Sequence, residues 1–371
     1  MRKLKILHAA DLHLDSPFEG LSAGKAAIRR KEQRELLARL ADLAATERVD
    51  LVLLAGDLLD SGNTFYETGE ELIRALRGIP APVFIAPGNH DYYSAKSPYA
   101  RLRLPDNVHV FTEPAIRSVV LPELHARIFG AAFTEPSSRA LLEGFRCERA
   151  EGTYNILCLH GELTAKDSRY DPITVQQLEN SNLDYAALGH IHKASGLQRA
   201  GSTWYSWPGC PEGRGFDETG EKTVSIVTLD GSLCELRTVC IAKRRYEVVK
   251  LDMAGEDPLL AIPSRLPDDT VGDVYRIVLT GETDSPPDLR RLYENLSDMF
   301  FELQLRDETR LRRSVWDSAG EDTLRGLFLS RLRERFENAH SEEERIRVEQ
   351  AARWGLAALD NAEEVVQHDD P

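Results

Sequence analysis

Leu4-Lys5-Ile6-Leu7-His8-Ala9-Ala10-Asp11-Leu12-His13 opens the chain with an apolar run that ends on two polar side chains two residues apart. The run reads as a buried strand, and the polar pair sits where such a strand hands over to a loop. The same arrangement recurs four times. Residues 51–55 lead into Gly56-Asp57, and 83–86 into Gly88-Asn89-His90-Asp91. Residues 155–159 lead into His160-Gly161, and 185–188 into Gly189-His190-Ile191-His192. Helical patterns lie between the early strands, at 25–46 (Leu36, Leu37, Leu40, Leu43) and 67–77 (Leu72, Ile73, Leu76). Strands alternating with helices point to an α/β domain. Open α/β sheets bind ligands at the carboxyl ends of their strands, so five islands at strand ends are placed to share one site.

The residue types in these islands are metal ligands. His13, His160, His190 and His192, with Asp11, Asp57 and Asn89, make seven candidates, and His90 remains as a candidate acid with Asp91 beside it. Mixed imidazole and carboxylate ligation suits Mn, Fe, Zn or Ni better than Mg or Ca. Two such ions about 3.5–4 Å apart clamp a phosphate and supply hydroxide near neutral pH. The departing alkoxide then needs a proton, which a histidine oriented by a carboxylate can deliver. His190 and His192, two apart on an extended segment, can reach two different ions, and Asp57 is placed to bridge them. Each island alone has a bland explanation, since Asp-x-His ends strands and Gly-Asn-His-Asp makes turns. Five in one order do not. By contrast, His8 is expected to be a satisfied core histidine and Cys158 a small buried residue. Asp60 is expected to hydrogen-bond loop backbone, and Asp15 to serve as a turn residue before Ser16-Pro17.

The 371 residues have room for one large domain and a smaller one. With 42% hydrophobic and 29% charged residues the composition is that of a globular protein, and no run reaches the roughly 18 apolar residues of a membrane span. Five cysteines without a Cys-x-x-Cys pair argue against a disulfide framework or a zinc ribbon. With no export signal, the expected location is a reducing cytoplasm. A net charge of −15 gives no broad basic footprint for nucleic acid. A nuclease remains compatible with it, because bound cations or a partner can supply the positive field.

Past residue 107 the texture turns to short β pieces, including two runs joined by Asp230-Gly231, a hairpin signal. A catalytic domain is expected over 1–241 and a small α+β module over 242–312, with a helix after Pro286-Pro287. A helical tail follows over 313–371, with Leu324, Leu327, Phe328, Leu332 and Phe336 at helical spacing and an acidic end at 363–371. Lys243-Arg244-Arg245 and Arg310-Leu311-Arg312-Arg313 are basic clusters that read either as solvated surface or as phosphate contacts.

In motif order the chain resembles the calcineurin-like metallophosphoesterase superfamily over roughly residues 5–215. Within it the chain is similar to SbcD-type DNA repair exonucleases, most closely the YhaO-like branch. The residues that carry this are His8 to Phe18, Ser97-Pro98-Tyr99, Pro208-Gly209-Cys210-Pro211-Glu212-Gly213-Arg214 and Asp217-Glu218-Thr219-Gly220-Glu221-Lys222. The resemblance implies a four-layer αββα sandwich with a small capping domain. It also implies one ion held by Asp11, His13, Asp57 and His192, and a second by Asp57, Asn89, His160 and His190. His90 would serve the leaving group, with Asp91 orienting it. The implied activity is manganese-dependent cleavage of DNA phosphodiesters, alongside an SMC-like coiled-coil ATPase that the helical tail would grip. A phosphodiesterase or phosphatase acting on nucleotides or other small phosphoesters is the alternative. The oligomeric state is open, a homodimer included.

Overall fold

Both faces of the Leu4–Ala9 strand are buried. Leu4 and Ile6 enter a core with Leu53, Phe84, Ile156 and Tyr185. Leu7 and Ala9 enter a different one with Leu36, Leu40, Leu72 and Leu76. Side chains alternate along a strand, so a strand buried on both faces lies inside a layered structure.

The computed structural model describes residues 2–60, 64–163, 168–283, 285–311 and 315–359. One six-stranded sheet is ordered Leu233–Cys240, Thr223–Asp230, Leu4–Ala9, Leu51–Leu54, Val83–Ile85, Val108–Val110. Its last four strands are parallel. The other is ordered Gln198–Ala200, Thr203–Ser206, Tyr185–Gly189, Tyr154–His160, Ala126–Gly130, Arg117–Leu121, with its central four parallel. The sheets pack face to face around Leu4, Ile6, Phe84, Ile156 and Tyr185. Helices Ala23–Thr46 and Tyr66–Gly78 cover the outside of the first sheet. Leu178 of helix Val175–Asn180 packs with Leu157, Leu159 and Trp207 on the outside of the second. The layers are those of the expected αββα sandwich.

Local chemistry explains the boundaries. The Ser22 side chain accepts from the Lys25 N–H, so the first helix starts at Ala23, two residues before the periodicity alone suggests. The Asp230-Gly231 hairpin forms, with Gly231 at φ 61°. His8 bridges the two sheets as a core histidine, with Nδ1 2.8 Å from the Tyr185 hydroxyl and Nε2 3.2 Å from the Leu188 carbonyl. Asp15 takes a turn conformation, at φ 69°, and accepts from Phe65 N–H and the Thr68 hydroxyl.

The chain divides into two compact units. The first comprises Met1–Val249, Leu266–Ile277 and Tyr293–Leu305. The second comprises Lys250–Arg265, Val278–Leu292 and Arg306–Pro371. In the second, helices Leu324–Glu337 and Glu342–Leu359 cross closely, with Phe328 filling the space a side chain on Gly355 would need. Leu329 and Ala352 are buried there, whereas Leu324 and Leu327 are exposed. Among the described residues no helix is long and apolar enough to cross a membrane.

A buried charge network fixes the first helix. The Arg29 guanidinium, with no exposed side-chain surface, donates to Glu32 at 2.9 Å, to Glu212 and to the Gly213 carbonyl at 3.0 Å. Arg244 donates to Glu32, Lys243 lies 3.6 Å from the same carboxylate, and Arg245 pairs with Asp273 at 2.7 Å. The 243–245 cluster therefore pairs with carboxylates of the same chain, with only Arg244 largely buried. Arg312 and Arg313 of the other cluster, and the acidic stretch 363–371, lie outside the described residues. Removing one member of a buried ion network costs about 3–5 kcal/mol, because its partners stay buried and unpaired. Arg29→Met is expected to lower unfolding free energy by about that much, read from the urea midpoint.

Candidate metal centre

All five islands leave the carboxyl ends of parallel strands on one edge of the sandwich. The segment after Leu4–Ala9 runs beside the segment after Leu51–Leu54, with Asp11 N–H donating to Gly56 O at 3.0 Å and His13 N–H to Asp57 O at 2.9 Å. Asp11 (φ 55°), His13 (φ 44°), Asp57 (φ 51°) and His190 (φ 91°) all hold positive φ. Such backbone costs about 1–3 kcal/mol per non-glycine residue and persists only where the surroundings impose it. Two glycines make room: a Cβ at Gly189 would strike the Ala55 carbonyl, and one at Gly88 the Asp57 carboxylate.

The side chains converge in three groups, Asp11 with His13 and His192, His13 with Asp57 and His90, and Asp57 with His160 and His190, linked by the shared His13 and Asp57. His13 Nε2 and His192 Nε2 are 3.1 Å apart, and His192 Nε2 is 3.7 Å from Asp11 Oδ1. Asn89 Oδ1 lies 3.1 Å from both His160 Nε2 and His190 Nδ1. Asp57 Oδ2 stands between the groups, 3.8 Å from His13 Nε2 and 3.3 Å from His160 Nε2. Donors about 2.1 Å from one ion stand roughly 3.0–3.4 Å apart, the spacing of the His13–His192, Asn89 and Asp57–His160 contacts, while the Asp11–His192 and Asp57–His13 pairs are wider.

The outer ring nitrogens test whether this set fits cations. His13 Nδ1 faces Asp60 Oδ1 at 3.2 Å, His192 Nδ1 faces Glu218 Oε1 at 2.7 Å, and His160 Nδ1 faces the Ala55 carbonyl at 2.9 Å. Each acceptor draws the ring proton outward and leaves Nε2 as a bare lone pair. Two bare nitrogens 3.1 Å apart, and a carbonyl oxygen 3.1 Å from another, repel unless something positive lies between them. The donor set fits cations.

The charge states are mixed: burial lowers the His192 pKa, but its Glu218 hydrogen bond and the Asp11 charge outweigh it and raise that ring. Burial pushes the Asp11 carboxyl up to about 7 and the His13 and His190 imidazoles down to about 4. Burial also disfavours a charged His160, but the Asp57 and Asp11 carboxylates outweigh it and lift that ring to about 10. Without ions, a proton takes the place of a cation at His160.

His90 lies at the rim, its side chain 43% exposed, with its ring 4.7 Å from that of His13. Its Nδ1 is 3.0 Å from the Asp60 carbonyl. Asp91 does not orient it, contrary to the expectation from sequence. The Asp91 carboxylate is buried and accepts from the backbone N–H of Gly88, Asp57, Leu58 and Leu59, and from the Tyr99 hydroxyl. It holds loops, not the histidine. Among the described residues the Asp60 carboxylate backs His13 and accepts from Arg214, a role beyond the expected loop bonding. Glu218 and Arg214 were missed as site residues. The Arg214 guanidinium links the two outer carboxylates, donating to Asp60 at 3.2 Å and to Glu218 at 2.7 Å. Their only sequence signal was the Arg-x-x-x-Glu spacing inside the stretch 208–222.

A donor set of this kind at the strand ends of a two-sheet sandwich has a counterpart among known proteins. The Calcineurin-like phosphoesterase family profile matches residues 4–194. The chain belongs to this family. It is 35% identical over 238 residues to the metallophosphoesterase YhaO of Bacillus subtilis (strain 168), covering 60% of this chain and 57% of YhaO. It is 25% identical over 268 residues to the SbcD component of the nuclease SbcCD of the same organism, covering 60% of this chain and 66% of that one. The DNA double-strand break repair protein Mre11 of Methanosarcina acetivorans is 26% identical over 268 residues, 69% of this chain and 42% of Mre11. The matches thus span less than two thirds of these relatives' own lengths. The family is one of metal-dependent phosphoester hydrolases, and the described residues of this chain include His and Asp groups able to hold metal ions.

Partners behind metal-binding histidines typically tune affinity 10- to 100-fold. Arg214→Met or Glu218→Gln is therefore expected to weaken one of two manganese-binding events by about that factor in calorimetry, leaving the other near wild type. Binding must also displace protons from His160 (about 10) and, below about pH 7, from Asp11. Affinity is expected to rise with pH, by about tenfold per unit for each proton displaced, more steeply below pH 7 than above it. Calorimetry in buffers of different ionisation enthalpy counts the protons.

Proposed function

We propose that this chain is a two-metal DNA nuclease, an exo- or endonuclease of DNA repair, with manganese as its native ion. The observation that supports the metal part is the pair of imidazole nitrogens His13 Nε2 and His192 Nε2 3.1 Å apart, with the Asp57 carboxylate 3.8 Å from His13 and 3.3 Å from His160. Asp11, His13, Asp57 and His192 would hold one ion, and Asp57, Asn89, His160 and His190 the other. Two bound ions would supply hydroxide and neutralise charge on the phosphate. Support for DNA comes from relatives named as a nuclease and as a double-strand break repair protein, both matched well beyond the family profile.

The chain's own residues do the rest. The Asp60 carbonyl accepts from His90 Nδ1–H, so that in the imidazolium form the Nε2–H of this exposed ring would be the proton given to the departing oxygen. Asp91 fixes the Asp57 loop against the Gly88 loop, and so fixes His90 N–H on Asp57 Oδ1 at 2.9 Å. That bond sets the distance between acid and metal centre. On the resemblance to SbcD-type nucleases we extend the reading to an SMC-like coiled-coil ATPase partner, and on the cysteine pattern to a cytoplasmic location. Hydrolysis of free nucleotides or other small phosphoesters is the second reading, favoured by the net charge of −15, which repels long polyanions.

With manganese, the purified protein is expected to release nucleotides from linear DNA. General acid catalysis is worth about 100- to 10,000-fold, so His90→Ala should lose that much rate while still binding two ions. A wild type inert on DNA, alone and with its ATPase, that rapidly cleaves a cyclic nucleotide would overturn the DNA reading.

A further inference from the structure

Three of the four candidate histidine ligands have an acceptor within 3.2 Å of the ring nitrogen that faces away from the other ligands. His190 is the exception. It is turned the other way round, with Nδ1 inward, 3.1 Å from Asn89 Oδ1 and 3.2 Å from His160 Nε2. Its outer Nε2 has no hydrogen-bond partner among the described residues, and it faces Glu162 Oε2 at 3.8 Å. That is about 0.8 Å beyond an ordinary N–H···O bond of roughly 3.0 Å. An imidazole whose outer nitrogen is not held can rotate about its Cβ–Cγ bond and withdraw the inner lone pair. Something has to fix this ring.

One short segment supplies both restraints. Strand Glu162–Leu163 follows His160 directly and pairs in parallel with Pro172–Ile173. Glu162 N–H donates to the Asp171 carbonyl at 3.3 Å. Asp171 itself is buried, at φ 49°, and its carboxylate accepts from Leu141 N–H. The residue before it, Tyr170, lays its ring beside that of His190, with centroids 5.0 Å apart and planes at 35°. Glu162 thus meets the edge of the imidazole, and Tyr170 its face. The Glu162 side chain is 25% exposed, so it can close the remaining distance without unpacking the core.

We propose that Glu162 and Tyr170 are the positioning residues of His190: Glu162 accepts from Nε2–H when an ion draws the Nδ1 lone pair inward, and Tyr170 holds the plane of the ring. A hydrogen on Nε2 is what leaves Nδ1 bare, so the pair selects the ligand atom. Glu162 behind His190 is then the counterpart of Glu218 behind His192, one outer carboxylate for each metal position. This rests on the two-metal reading above and adds to it two residues that lie in none of the five islands.

Manganese titration of the full chain by calorimetry is the test, and wild type is expected to show two binding events. Glu162→Gln keeps the shape of the side chain and removes its charge, and is expected to weaken one event about 10- to 100-fold. That event is the one Glu218→Gln leaves near wild type, so the double variant weakens both. The retained event is the internal control for folding. At a manganese level that fills both positions of wild type, electron paramagnetic resonance of Glu162→Gln should show isolated ions in place of a coupled pair. Tyr170→Ala is expected to weaken the same event about three- to tenfold, whereas Tyr170→Phe, which keeps the ring, should stay within about twofold of wild type. Two events within twofold of wild type in Glu162→Gln, or loss of the event that Glu218→Gln weakens, would overturn the proposal while leaving the two-metal reading intact. A wild type that binds fewer than two manganese ions would overturn both.

Discussion

The Asp91 carboxylate is the contact on which the metal centre depends. It is buried, and it accepts from four backbone N–H groups and one phenol, drawn from two loops and the short Pro98–Arg101 helix. Burial and the nearby Asp57 charge both push its pKa up, so it is an expensive anion to keep. What it gives is geometry. Each N–H it satisfies would otherwise be an unpaired buried donor costing about 1–3 kcal/mol. Together these bonds hold Asp57 in the left-handed region, where its carboxylate can face both groups of imidazoles.

Around that anchor the site is built outward in charge layers. Inner nitrogens and carboxylates face one another at distances that only a cation relieves. Outer acceptors, the Ala55 carbonyl and the Asp60 and Glu218 carboxylates, fix which ring nitrogen is bare. Arg214 then holds the last two carboxylates. Groups behind the histidines associated with Asp11 are therefore anionic, whereas the group behind His160 is a neutral carbonyl. Two ions bound there would therefore stand in unequal surroundings.

Whole-chain charge was a poor guide for the same reason. A net charge of −15 describes the surface average, while the centre is an excess of donors waiting for positive charge. The most conspicuous basic cluster, 243–245, proved to be tied to Glu32 and Asp273. Arg214, the arginine beside the candidate ligands, belongs to no basic run that composition could reveal.

The sequence by itself determined the layered α/β architecture, because apolar runs of strand length, separated by helical periodicity, have few ways to bury both faces. It also determined which seven side chains meet, since a ligand at the carboxyl end of each parallel strand is brought to one edge whatever the loops do. His90 and Asp91 were legible as functional residues, but their division of labour was not. Adjacent residues in a turn point in different directions, and only the fold sends one carboxylate inward to four amides and leaves one imidazole at the rim. Asp60, Glu218 and Arg214 were hidden because their roles come from charges packed against a ring from elements far apart in the chain.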